Sequence, residues 1–302
     1  MSKYNAGISN VASLVGQKED VEDIIYDISP TDTPFTSSIG SSTANGILHQ
    51  WQQDSLAAVA ANAALEGADA ADTAVANTTM KTNRTQIFVK DVSVTNTAEA
   101  IGKYGRASEM SYQIAKKGAE MKRDIEHAFV GLEQAGADED TAASTGRTLT
   151  SAINQIAAGN IDTDDEAFDE ADLLTVMQTV YTEGGNPNQI QVTPAGSVKI
   201  AALAKAGAQS GRDFGNETRY VNAIDVYVSP FGTYSIIPNR FMKSGTALLV
   251  DPEYWSRAVL RPMQTINLSV TGDSTKKQLV TELTLVCEND KASGALQDKT
   301  DL

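Results

Sequence analysis

The sequence predicts an α+β protein in which an extended N-terminal arm and a projecting hairpin stand outside a body of one long helix, an α/β middle and a closing run of strands. Three observations carry this. Residues 1–45 are polar and punctuated by Ser29-Pro30 and Thr33-Pro34. Residues 55–84 join two strand patterns through a tract in which 11 of the 21 residues from Leu56 to Ala76 are alanine. Residues 108–133 hold an amphipathic repeat longer than an average helix.

Each segment follows from its residues. The arm, 1–45, reads as extended chain with a short helix near Val21–Tyr26. The hairpin segment, 46–98, opens with a strand in which Ile47, His49 and Trp51 share a face. It closes with a strand over Thr85–Thr95, whose phase slip at Lys90-Asp91 predicts a bulge. Alanine buries little area, so the tract between them has almost nothing to pin it to its own domain. Two readings stand: a flexible linker, or a projection held by surfaces that other subunits provide. The flanking strands could pair and carry the tip outward.

Residues 99–139 contain the long helix. Its apolar side is Met110, Ile114, Met121, Ile125, Phe129 and Leu132, and Lys116, Lys117, Glu120, Lys122, Arg123 and Glu126 cover much of the rest. Ser108 is its expected N-cap, and Gly131 and Gly136 offer exits. Residues 140–245 alternate helices and strands. A helix over about 170–183 packs Leu173, Leu174, Met177, Val180 and Tyr181 and ends at Gly184-Gly185-Asn186-Pro187. A strand Gln189–Thr193 leads to a helix near 195–206, then a polar loop Gly207–Gly215. A hairpin follows from Tyr220–Ser229 and Thr233–Ile237. Residues 246–302 return to strands at Ala247–Asp251, Tyr254–Leu260, Thr265–Val270 and Gln278–Glu288. Cys287 lies on an inward row there, and the tail from Lys291 reads as loose.

Composition narrows the function. The 302 residues carry 24 Lys plus Arg against 39 Asp plus Glu, a formal charge of -15, with two histidines and one cysteine. One thiol excludes a disulfide framework and any cysteine-based zinc or iron–sulfur site. No run of eighteen apolar residues is present, so no membrane partner is expected. The start lacks a signal-peptide layout, which predicts synthesis in a cytoplasm. The charge argues against a general nucleic-acid binder. Acidity is local: residues 132–186 hold 1 basic and 12 acidic groups. Asp162-x-Asp164-x-Glu166 resembles a calcium loop, but Ala167 stands where that loop needs glycine and Leu173 where it needs glutamate. A solvated surface ending in a helix start is the preferred reading, with Asp169, Glu170 and Asp172 at the positive end of the helix dipole.

No catalytic pattern emerges. His49 beside Trp51 reads as packing or interface, and His127 as helix surface. There is no nucleophile elbow, phosphate loop or dinucleotide fingerprint. No catalytic residue, cofactor or metal ligand is assigned. A hydrolase using paired carboxylates stays as an alternative without specificity, because 39 acids offer many pairs.

The order of these parts, with Thr33-Pro34-Phe35, Trp51-Gln52-Gln53-Asp54-Ser55-Leu56, Glu66-Gly67, Arg123-Asp124-Ile125-Glu126, Gly184-Gly185-Asn186-Pro187, Asn239-Arg240 and the stretch from Asp273-Ser274 to Thr281-Glu282-Leu283, resembles the tailed-bacteriophage major capsid proteins of the HK-ninety-seven-type fold over roughly residues 20 to 295. The resemblance implies that arm and loop reach across neighbours. The long helix and terminal strands would form a peripheral domain, and 140–245 an axial domain around five- and sixfold positions. Many copies would close through hexamers and pentamers into an icosahedral shell around double-stranded DNA, without sequence-specific binding. The expected assembly residues are Trp51, Asp54, Leu56, Leu65, Glu66 and Arg84. Further partners implied are a portal, decoration proteins and a scaffold; Thr33-Pro34-Phe35 lies too near the start for a fused scaffold segment, so a separate one or none is expected. Covalent cross-linking through Lys81 with Asn77 or Asn83 is less favoured than an ordinary polar role. An encapsulin-like nanocompartment shell is the other reading on this fold.

Overall fold

The computed structural model describes residues 29–63, 65–67, 69, 75, 77–206 and 226–302. The helix expected near Val21–Tyr26, the loop Gly207–Gly215 and the start of the strand Tyr220–Ser229 lie outside the described residues.

Three sheets organise the described residues. The first has four strands, in the order β1 (Gly40–Thr43), β10 (Trp255–Asn267), β11 (Ser274–Cys287) and β4 (Gln86–Thr95). β1 runs parallel to β10, and the other pairs are antiparallel. The second has six strands: β5 (Ile161–Asp162), β12 (Gly294–Leu296), β9 (Ala247–Val250), β6 (Gln189–Val192), β8 (Gly232–Pro238) and β7 (Val226–Ser229). The third is a ribbon of β2 (Leu48–Gln53) and β3 (Thr79–Arg84). Block 246–302 is thus shared between sheets, with β10 and β11 in the first and β9 and β12 in the second.

The arm is not wholly extended. Thr33-Pro34-Phe35 opens a short helix, α1 (Pro34–Ser38), proline fitting its first turn. Phe35 is fully buried, its ring edge-on to Phe129 and Trp255 at 6.2 and 5.8 Å. α2 (Asn96–Ala100) then leads to α3 (Glu109–Val130), the long helix, whose 22 residues span about 33 Å. The Ser108 hydroxyl accepts from Ser111 N–H at 3.2 Å, as expected for the N-cap. Met110, Met121, Ile125 and Phe129 are buried, and Ile114 is half-buried against the same core.

Two readings of this helix are corrected. Leu132 is 51% exposed, because the helix ends at Val130. Only glycine fits at the C-cap, where a Cβ on Gly131 would come within 2.3 Å of the Phe241 carbonyl, and Leu132 lies beyond the helix and off its apolar face. Glu126 is fully buried rather than solvated. It accepts hydrogen bonds from the N–H groups of Phe35 and Thr36, both at 2.8 Å, the Thr36 hydroxyl at 2.5 Å and the Asn239 amide at 2.7 Å.

The phase slip in β4 is also corrected. Its register with β11 is unbroken, Thr95 opposite Ser274 through Gln86 opposite Leu283. Phe88, Val92 and Val94 face the core, while Ile87 and Val89 face outward. Irregularity sits instead in β10, between Val259 and Gln264. Pro262, which has no N–H for the ladder, is absorbed there, so the two strands expected either side of it are one.

α4 (Glu170–Thr182) starts with a reciprocal cap between Asp169 and Asp172 and ends at Gly184, where φ is +94°. Leu173, Val176, Met177 and Val180 are buried, but Tyr181 is exposed and meets Phe231. α5 (Pro194–Ala206) follows β6.

The tail is folded, not loose. β12 lies inside the six-stranded sheet, and Leu302 is buried. The Lys299 ammonium is buried between Asp162 and Asp172, at 3.1 and 3.0 Å. Part of the acidic segment is therefore neutralised from within; Asp164, Asp165 and Glu166 stay exposed. Burial pushes the Lys299 ammonium down, but its bonds to Asp172 and Asp162 raise it overall.

Candidate assembly interface

β2 and β3 pair from Leu48 opposite Arg84 to Gln53 opposite Thr79. The strand expected to pair with β2 was Thr85–Thr95. That strand instead joins β11, where its apolar alternate residues reach the core, and the partner is a polar segment within the long connection. One face of the ribbon (His49, Trp51, Gln53, Lys81, Asn83) is buried or half-buried, and the other is exposed except at Arg84.

The inward face is fastened to the body chiefly by polar groups. Asn83 Nδ2 donates to Leu285 O at 2.6 Å and Thr150 O at 3.2 Å, and its Oδ1 accepts from Thr150 N–H at 2.8 Å. Lys81 pairs with Asp290 at 2.8 Å, and Gln53 Nε2 donates to Glu288 O at 2.9 Å. Trp51 packs on the small buried cluster of Ala44, Ala258 and Val286, as does Leu260. With His49 it borders a shallow cleft of about 470 Å³ next to Tyr254 and Glu288. Burial holds the His49 imidazole below its usual pKa. Arg84 grips Asp138 with two bonds, Nη2 to Oδ2 at 2.6 Å. That bond first, and the Arg84 charge after it, lowers the Asp138 carboxyl below its usual range.

The expected assembly residues therefore divide. Trp51 and Arg84 are engaged by their own subunit. Asp54, Leu56, Leu65 and Glu66 stand exposed beyond the ribbon, Leu56 at 98% and Leu65 at 85%, with Val59 and Val75 equally uncovered. Glu66 begins a turn completed by Gly67 at φ +82°. Lys81 and Asn83 each have a partner inside the subunit.

Sequence reasoning missed the groups that root the ribbon: Asn83, Arg147 and Glu282. Glu282 alternates in sequence with the inward row of Leu283, Leu285 and Cys287, which predicts an outward side chain, yet that side chain is 6% exposed. The signal was that apolar residues occupy both alternate rows of the strand, Val280 and Val286 as well as Leu279, Leu283, Leu285 and Cys287, which marks a strand covered on both faces. Cys287 is buried, and burial pushes its thiol pKa well up. His127 stays on the surface, Nδ1 3.1 Å from the Phe241 carbonyl. Among the described residues, no three His, Cys, Asp or Glu side chains are grouped to hold a metal, and no helix is long and apolar enough to cross a membrane.

Comparison with known proteins gives this arrangement its context. The SU10 major capsid protein family matches residues 7–300. The major capsid protein of Escherichia phage Phieco32 is 30% identical over 331 aligned positions, covering 93% of this chain and 94% of that one. Among solved structures, the capsid of the native GTA particle superposes with a TM-score of 0.67 at 14% identity, covering 98% of this chain and all of the other. The SrpI encapsulin of Synechococcus elongatus PCC 7942 reaches 0.60 at 10% identity, covering 97% and 96%. At such identities the two structures establish the shared HK-ninety-seven-type fold alone. The sequence matches go further: the chain belongs to the SU10 major capsid protein family and is a phage major capsid protein, a component of the virion.

Proposed function

We propose that many copies of this chain close through hexamers and pentamers into an icosahedral shell that encloses the double-stranded DNA of a tailed phage. The observation that carries this is the loop beyond the ribbon, where Leu56, Val59, Leu65 and Val75 are almost wholly exposed in the single subunit. Covering apolar area yields about 25 cal/mol per Å². Four aliphatic side chains on a projection gain that only when another surface meets them. Asp54, Leu56, Leu65 and Glu66 are the residues assigned to contact neighbouring copies. The six-stranded sheet with α4 and α5 is assigned to the five- and sixfold axes, and α3 with the four-stranded sheet to the periphery. The net charge of -15 disfavours adhesion to packaged DNA, which suits a container that must release its contents. A scaffold, portal and decoration proteins are further partners on this reading, and synthesis is in the host cytoplasm.

Deleting residues 57–77 behind a short Gly-Ser turn leaves β2 and β3 able to pair. The expected outcome, read by circular dichroism, sedimentation and electron microscopy, is a folded subunit that forms no shells. Closed shells from that variant would falsify the assignment of the loop. Nuclease-resistant DNA inside particles made with the rest of the phage proteins is expected; a protein cargo in its place would favour a nanocompartment.

A further inference from the structure

The ribbon is joined to the four-stranded sheet by two short connections, residues 44–47 between β1 and β2 and a single residue on the other side: β3 ends at Arg84, β4 begins at Gln86, and only Thr85 lies between them. Thr85 is fully buried, and each of its polar groups is held. Its N–H donates to Ile47 O at 2.8 Å, its hydroxyl to Glu282 Oε1 at 2.8 Å, and its carbonyl accepts from Arg147 Nε at 3.2 Å. The same Glu282 Oε1 accepts from Arg147 Nη2 at 2.8 Å, and Oε2 accepts from Arg261 Nε at 2.8 Å. Arg147 closes the short hairpin that begins at Ala137 opposite Thr148, and that hairpin also supplies Asp138 to Arg84. Arg261 comes from the irregular stretch of β10. One carboxylate thus ties the root of the ribbon, a hairpin and a bulged strand.

Stability alone does not call for this arrangement, since buried ion groups are often replaceable by apolar ones at little cost. What two guanidinium groups around one carboxylate do supply is direction, because their donors are fixed in a planar fork. Further ties along the ribbon, at Gln53, Lys81, Asn83 and Arg84, are polar too, and Trp51 adds an apolar one. We propose that Glu282, with Arg147 and Arg261, is the positioning group that fixes the angle at which the ribbon leaves the subunit and thereby sets the curvature at which copies join. The second half rests on the loop being an intersubunit contact; the angle is a property of the lone subunit.

The two halves separate experimentally. Spin labels at Ser55→Cys and Lys116→Cys, both exposed, report the ribbon-to-helix distance in full-length chain kept too dilute to assemble; Cys287 is buried and stays unlabelled. A single narrow distribution is expected for the parent. Glu282→Gln, which places an amide donor against two cations, should broaden or displace it while the melting transition stays cooperative, and particles should be irregular or of altered size. Glu282→Asp, which keeps the charge, should restore the distribution toward the parent. A parental distribution in Glu282→Gln overturns the proposal. If that variant does not fold, Arg261→Met removes the more exposed arm only, and the same comparison decides. A changed angle with uniform parental particles overturns the link to curvature. Shells from the loop deletion would remove the functional reading and leave the distance result standing.

Discussion

Glu126 shows how one side chain can join three distant segments. It receives four hydrogen bonds, from Phe35, from Thr36 twice and from Asn239, in a site without water access. Glu126→Ala would leave those donors unpaired, and a loss of about 3 kcal/mol is expected in urea unfolding; a loss under about 1 kcal/mol would mean that the donors find other partners. Tyr227 gives a pH test. Burial first, then its hydrogen bond to Glu170, raises the phenol to about 12 from 10.0. The folded state favours the protonated form, so this contribution is complete below about pH 10 and is lost as pH rises through about 12. Alkaline titration of tyrosine absorbance should show a late-ionising phenol that is missing in Tyr227→Phe. Neither contact was legible in the sequence. The arm, α3 and Asn239 that meet at Glu126 are far apart in the chain, and a glutamate on a charged helix face looks solvated until the neighbours are known.

At the level of elements, legibility followed locality. α3 and α4 were readable because their period, N-caps and terminating glycines all lie within or beside the helix. β3 was not, because Thr79–Arg84 has no apolar alternation and is held by backbone pairing to β2. Pro262 suggested a break that a bulge absorbs, and the polar tail concealed β12. That last strand depends on a close approach. A Cβ on Gly294 would lie 2.6 Å from Val176 Cγ1 and 2.9 Å from Val180 Cγ2 on α4. Gly294→Ala should therefore cost about 2 kcal/mol through overpacking. Thermal melting checks this, and an unchanged midpoint would show that α4 can shift away at no cost.

For the whole molecule, charge and assembly pull against one another. A subunit of charge -15 repels its copies over about 30 Å at 0.01 M salt and about 8 Å at 0.15 M. Raising salt through that range should speed particle formation in light scattering. Suppression by salt instead would mean that ion pairs, rather than apolar contacts, drive association. The candidate interface was legible where it is most exposed, in the alanine tract with its few aliphatic residues. Its root was not, because Thr85, Arg147 and Glu282 come together only once the four-stranded sheet has formed and the hairpin of residues 137–148 has packed beside it.

The closing strands alternate between layers: β9 lies in the six-stranded sheet, β10 and β11 in the four-stranded one, and β12 in the six-stranded one again. Leu248, Val250 and Ala295 from one sheet share a core with Phe88, Leu283 and Trp255 from the other. Stitched in this way, the two layers cannot shear or hinge apart without tearing common packing. The body is then a stiff tile, so on the proposed reading the tilt between neighbouring tiles is decided where the slender ribbon is rooted at the margin.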